Sequence, residues 1–189
     1  MAKVVGPLLS VDARGKVADA MVFSYWRGQK YVRQWVKPSN PNTAAQQTQR
    51  TRMKEAMDDW VKKAEATVKQ GWRDYQAGQS ISGPNEFVKR HIATDKAERV
   101  VDIPTNVVVT PGINNVTFEW DTVDAYKGVI SYGDKHRVYS KTQTEGSGVT
   151  SHSVVVSGLT TGVTYYFFVG SEGIEDEWSE AGEFAAVPT

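Results

Sequence analysis

Arg14, Lys16, Arg27, Lys30, Arg33, Lys37, Arg50 and Arg52 are interleaved with Phe23, Tyr25, Trp26, Tyr31 and Trp35 along a stretch almost free of acid. Cations alternating with aromatic rings suit two kinds of binding. They neutralise phosphates and stack on bases, as in single-stranded nucleic-acid grooves. Alternatively, arginine and aromatic anchors clamp an acidic protein surface, where such residues dominate the binding energy. A third reading needs no partner, because alternating aromatics also form the inner face of a small sheet. No nucleic-acid fold pattern accompanies the charges, so the protein surface is favoured and nucleic acid is the lesser candidate. The candidate partner-binding set is Arg14, Lys16, Tyr25, Trp26, Arg27, Lys30, Tyr31, Arg33, Trp35, Lys37, Arg50 and Arg52.

No other residue pattern points to chemistry. His91, His136 and His152 are scattered, without the i,i+4 spacing of helical metal ligands, and read as surface or satisfied histidines. Glu172, Glu175, Asp176 and Glu177 lack a defined oxygen-ligand spacing for Ca²⁺ and read as a solvated loop. Asn115-Val116-Thr117 is a formal glycosylation sequon that reads as strand sequence. The serines, Ser10 and Ser24 among them, sit in no nucleophile elbow. With no cysteine, disulfides and thiolate metal sites are excluded. The expectation is a non-enzymatic protein with no cofactor and no metal.

The elements that must position these residues fall into three zones. Net charge is zero, yet residues 1–99 carry 18 Lys/Arg against 10 Asp/Glu while residues 100–189 carry 4 against 12. Such polarity suggests a basic interaction arm followed by an acidic domain. Residues 1–41 are a basic aromatic arm or β-hairpin, with strands over 17–24 and 30–36 turning at Trp26-Arg27-Gly28-Gln29. An extended arm that orders only against a partner is the alternative, since so short and charged a segment buries little.

Residues 42–99 read as a helical hairpin. Pro41, then Thr43 with Gln46 three residues on, mark a capped helix start. Met53, Ala56, Met57, Trp60, Val61, Ala64 and Val68 give one apolar face that serves as hairpin core or as a groove for a partner helix, and Gly71 is expected to weaken or end the helix. A shorter helical piece over 72–77 follows, and Ser82-Gly83-Pro84-Asn85 opens another short helix over 86–91 or a little beyond. Residues 100–189 switch to period two, with strands expected at 106–110, 115–120, 135–141, 153–156, 164–169 and 183–187, the spacing of an all-β sandwich. The fold class is thus α+β multidomain: β-arm or hairpin, helical hairpin, then an Ig-like sandwich. The opening residues form too short an apolar run for a signal peptide and nothing approaches a membrane span, so cytoplasmic synthesis is expected.

Two resemblances refine this. Ile103-Pro104, Asn106-Val107 and Val116-Thr117-Phe118-Glu119-Trp120 resemble the first strands of a fibronectin type III domain, with Trp120 at the family's core tryptophan. Gly158-Leu159 followed by Tyr165 resembles its tyrosine corner, and Glu177-Trp178-Ser179 the approach to the last strand. The resemblance covers about 90 residues and implies a fold rather than a function. The adhesive Arg-Gly-Asp tripeptide is absent. The N-terminal zone is similar to a group of phage and prophage proteins. Its matching segments are Arg14-Gly15-Lys16, Val22-Phe23-Ser24, Tyr25-Trp26-Arg27-Gly28, Lys37-Pro38-Ser39-Asn40-Pro41-Asn42-Thr43 and Gln46-Gln47-Thr48-Gln49-Arg50. Ile81-Ser82-Gly83-Pro84-Asn85-Glu86-Phe87-Val88 also matches, with Pro84 where the group more usually has an aromatic.

This second resemblance implies a virion structural role. The expected function is a capsid decoration or cement protein, multi-copy or homo-oligomeric, anchored on capsid or other virion proteins through residues 1–54 with the sandwich projecting outward. A neck or tail component is the alternative, and a nucleic-acid-binding protein the third reading.

Overall fold

Aromatic and β-branched density produces strands at the start of the chain, as the residue types require. The computed structural model describes residues 2–3, 15–17, 20–37, 39–172 and 178–189. Strands β1 (Ala2–Lys3), β2 (Gly15–Val17), β3 (Met21–Trp26) and β4 (Gln29–Gln34) form one sheet in the order β1-β4-β3-β2. Trp26 pairs with Gln29, leaving Arg27 and Gly28 as a two-residue turn with φ of +47° and +80°. Positive φ at both central positions is the type I′ geometry that matches strand twist; glycine adopts it freely and arginine only at a cost. The expected hairpin is present, with both strands drawn closer to that turn than 17–24 and 30–36. Val17 belongs instead to β2, opposite Met21.

The chain divides at Thr43 into an N-terminal unit, Met1–Thr43, and a C-terminal unit, Ala44–Thr189. The expected border near residue 100 is not a border. Trp60, Val68, Trp72 and Phe87 from the helices join Val116, Phe118, Ile130 and Phe167 from the strands in one continuous core. Each fully buried phenylalanine there contributes about 1.5–3 kcal/mol.

Three helices stand where a hairpin was expected: α1 (Ala44–Lys62), α2 (Ala66–Tyr75) and α3 (Gly83–Lys96). The start after Thr43 agrees with the capping signals. The long first helix breaks instead at 63–65, where the Lys63 and Ala64 N–H groups both donate to the Asp59 carbonyl and Glu65 turns extended as the N-cap of α2. Gly71 does not end a helix. It sits inside α2 because a Cβ there would lie 2.5 Å from the Ala181 carbonyl oxygen and 2.8 Å from the Phe184 ring. The apolar face of α1 is also split: Ala56 and Trp60 are buried, whereas Met53 and Met57 are exposed.

The remaining strands are β5 (Val101–Asp102), β6 (Thr105–Gly112), β7 (Asn115–Gly133), β8 (Lys141–Thr144), β9 (Val149–Ser157), β10 (Tyr165–Glu172) and β11 (Trp178–Ala186). Strand β7 serves both layers of the sandwich. Its first part pairs with β6 and β9, and after a register shift between Asp121 and Tyr126 its second part pairs with β8 and β10. Strand β11 joins β10 and, in parallel, β5. Gly182, at φ +97°, lets β11 touch the backbone of α2 at Gly71. The expected strand at 135–141 is a loop, because the buried Glu183 carboxylate gathers His136 Nδ1, the Arg137 N–H and the Tyr139 hydroxyl. Backbone groups that turn inward to a carboxylate are lost to a ladder. The fold is α+β with a β-sandwich.

Candidate functional site

Cross-strand partners share a face, so the register sorts the basic aromatic residues into two groups. Lys16, Val22 and Arg33 form one row, Ser24 and Tyr31 the next, and Trp26 and Gln29 a third, all on one side. Val17, Met21 and Gln34, then Phe23 and Val32, then Tyr25 and Lys30, occupy the other. The expected binding set therefore does not share one face: Tyr25 and Lys30 lie opposite Lys16, Trp26, Tyr31 and Arg33. Trp35 extends the ladder by donating its N–H to the Ala20 carbonyl at 2.9 Å, and the Lys16 ammonium rests 4.1 Å from its ring. At the turn, the Arg27 guanidinium stacks 4.8 Å from the Trp26 ring. These cation–π contacts hold two cations against rings that remain accessible; Trp26 is 64% exposed.

Lys37 follows β4 as an exposed residue of irregular chain. Arg14 lies outside the described residues, as do Glu175, Asp176 and Glu177 of the acidic cluster. Arg50 and Arg52 do not join the sheet; they belong to α1 of the other unit. Arg52 is taken up by an ion pair with Asp95 of α3, which is its structural employment.

The C-terminal unit brings together charged groups that sequence spacing could not reveal. His91 Nε2 lies 3.0 Å from Asp59, His152 Nδ1 lies 2.7 Å from Glu145, and His136 meets Glu183. Each histidine is thus held by a carboxylate. His152 is also stacked on Trp120 with ring centroids 4.7 Å apart, and Trp120 Nε1 donates to Ser171 Oγ at 2.8 Å. Burial pushes the Glu145 carboxyl up, but hydrogen bonds from His152 and the Ser153 and Gly128 N–H groups outweigh it and hold it below the usual range. Burial first, then the Glu183 carboxylate, push the Tyr139 hydroxyl well above the ordinary phenol value.

Arg90 is the hub between helices and sheet. It donates to Glu86 at 3.1 Å, Glu180 at 2.7 Å and the Tyr75 hydroxyl at 2.8 Å while its guanidinium lies over Trp72, Tyr75 and Phe168. These groups tie α2, α3, β10 and β11 together. A cleft of about 420 Å³ lies between Lys63, Val101, Ile103, Val123 and Asp124, with Asp102 in its wall. Burial raises the Asp102 carboxyl, which accepts the Val123 N–H at 2.7 Å and so holds the bend in β7. Among the described residues no group of three or more His, Asp or Glu side chains is placed to hold a metal ion, and no helix is long and apolar enough to cross a membrane.

The two layers, β6-β7-β9 over β8-β7-β10-β11, define a fibronectin type III-like sandwich. Trp120 is buried in it, and the Tyr165 hydroxyl accepts the Thr160 N–H at 3.2 Å, closing the tyrosine corner. No family model matches the chain, and no curated protein matches it. Among solved structures it is similar to one described as a myokine structure, at 21% identity over 48% of this chain and 100% of that chain with a TM-score of 0.38. It is also similar to the FN5 domain of Drosophila Lar, at 15% identity over 47% of this chain and 97% of that chain with a TM-score of 0.36.

Proposed function

We propose that this chain is a non-enzymatic assembly protein: the N-terminal sheet is a docking element for an acidic protein surface, and the α+β unit is the module it carries. One observation carries the reading. Among the described residues of the N-terminal unit none is buried, and the sequence of residues 1–43 carries seven Lys/Arg against two Asp/Glu with dense aromatic side chains. A sheet of one layer, with Lys16, Trp26, Tyr31 and Arg33 on one side and the more apolar Val17, Met21, Phe23 and Val32 with Lys30 on the other, gains its stability from what covers it. The motif resemblance supplies the setting, a phage virion, and within it the role is capsid decoration.

Removing residues 1–43 tests the docking role. The truncated protein is expected to keep the cooperative melt of the C-terminal unit, because every core residue among the described residues lies beyond residue 43, and to be lost from purified particles. Undiminished incorporation would sink the assignment. Absolute copy counting in particles separates a shell role, with hundreds of copies, from a neck or tail ring, with about six or twelve. Duplex or single-strand binding with a steep salt slope would replace both readings by nucleic-acid binding.

A further inference from the structure

We infer that the acidic surface received by the basic sheet is carried by the protein itself, on the outer face of the β6-β7-β9 sheet of a second copy. This rests on the N-terminal unit being a docking element, and it names the partner. Charge partition is the first argument. The N-terminal unit holds seven Lys/Arg and two Asp/Glu, and the C-terminal unit fifteen against twenty, so two neutral copies attract when the unlike units meet.

The acceptor face is the second argument. Val108, Glu119 and Ser153 form one outward cross-strand row, Thr110, Thr117 and Val155 the next, and Asp121 stands opposite Ser151. No Lys or Arg occurs at 100–126 or 142–189, so β6, β9 and the part of β7 that pairs with them contribute no cation; Lys127 lies beyond, in the part of β7 that pairs with β10. Glu119 is exposed and makes no ion pair among the described residues. Asp121 accepts the Asn106 side-chain N–H at 2.8 Å, which fixes its carboxylate at the surface. Exposed Val108 and Val155 flank the acids with apolar area suited to aromatic contact.

The donor face matches this chemistry. The Arg33 side chain is exposed and makes no hydrogen bond or ion pair among the described residues; among them the Arg27 side chain is engaged only with the Trp26 ring. Trp26 and Tyr31 share the Arg33 side of the sheet. Glu119 and Asp121, two residues apart on one strand, are separated by about 7 Å, a span that two long guanidinium side chains bridge. Different patches meet in such a contact, so it is heterologous and closes as a ring or propagates as a chain.

Sedimentation velocity of the full-length protein at low and high salt tests this. The wild type is expected to self-associate at low salt and dissociate at high salt. Glu119→Lys with Asp121→Lys, and separately Arg27→Glu with Arg33→Glu, are each expected to weaken association at least about tenfold while the thermal melt stays intact. Glu119→Lys alone serves should the double variant melt early. An equimolar mixture of the two charge-reversed proteins is expected to associate again, since both contacts become complementary. Three results would overturn the proposal: a monomeric wild type at low salt, self-association indifferent to Glu119→Lys, or no rescue in the mixture. Association indifferent to Glu119→Lys but abolished by Phe23→Glu would assign the contact to the opposite, apolar sheet face instead. A monomeric protein that still needs residues 1–43 for particle incorporation removes this partner and leaves the docking reading standing; loss of both removes the docking reading too.

Discussion

The same residue types work in opposite ways in the two units. In the C-terminal unit Trp60, Trp72, Phe87 and Trp120 are buried; in the N-terminal unit Trp26 and Tyr25 are more than half exposed. The difference lies in what stands behind each ring. Trp72 has the Tyr75 and Phe87 rings at 5.9 and 6.0 Å and Phe168 at 6.1 Å, drawn from helix and sheet alike. Trp26 has one guanidinium and its own strand. Aromatic density therefore marks a core only where a second layer closes over it, and without that layer it marks a surface awaiting contact.

Substitutions in the two units should separate this contrast sharply. The largest effect is expected from Gly182→Val, which forces a β-branched residue to φ +97° and drives a side chain into the backbone of α2. Destabilisation of roughly 5 kcal/mol or more, seen as loss of the cooperative melt, follows from strain and collision together. A variant melting within a few degrees of wild type would show that α2 does not rest on that contact. Next, Trp72→Ala should cost about 3–5 kcal/mol by leaving a large cavity, whereas Trp26→Ala should change unfolding by less than about 0.5 kcal/mol. Equal costs in chemical denaturation would erase the distinction between the units.

The smallest effect concerns acid. Burial raises the Asp59, Glu86 and Glu145 carboxyls. Hydrogen bonds and charge from Lys63 and His91, from Arg90 and Lys89, and from His152 with two backbone N–H groups outweigh it, and all three end below the usual range. A depressed carboxylate contributes stability above its unfolded pKa of about 4, and that contribution is lost as pH falls through the lower folded value. Asp102, raised by burial, acts in the reverse sense, favouring the fold at low pH and losing that contribution as pH rises through its folded value. The melting temperature should thus decline below about pH 4. Glu145→Gln should flatten that decline, and an unchanged slope would remove the His152–Glu145 pair from the account.

Much of the sandwich was legible because its signals are local. Trp120, Tyr165 and the turn residues between strands carry their meaning in neighbouring positions, and Pro41 with Thr43 announces α1 in the same way. What stayed hidden depended on distant partners. Gly71 looked like a helix end because the carbonyl that excludes a Cβ belongs to Ala181, more than 100 positions on. Residues 135–141 looked like a strand because Glu183, which draws them into a loop, stands more than 40 positions further on. Within the candidate site the alternation was readable but its phase was not. The two-residue turn at Arg27-Gly28 sets which residues face together, and that turn places an arginine where asparagine is usual. Arg52 left the binding set through an ion pair with Asp95, a tertiary event.

The seat of α2 on β11 also sets a timetable for synthesis. Trp72 leaves the ribosome about 110 residues before Gly182, an interval of roughly 5–20 s at ordinary elongation rates. During that interval the helices can pair with one another, but the strand that α2 rests on does not yet exist. The nascent helices therefore carry an uncovered tryptophan face through that interval, the kind of surface that holding chaperones occupy. The unit can fold in full only once β11 has been made.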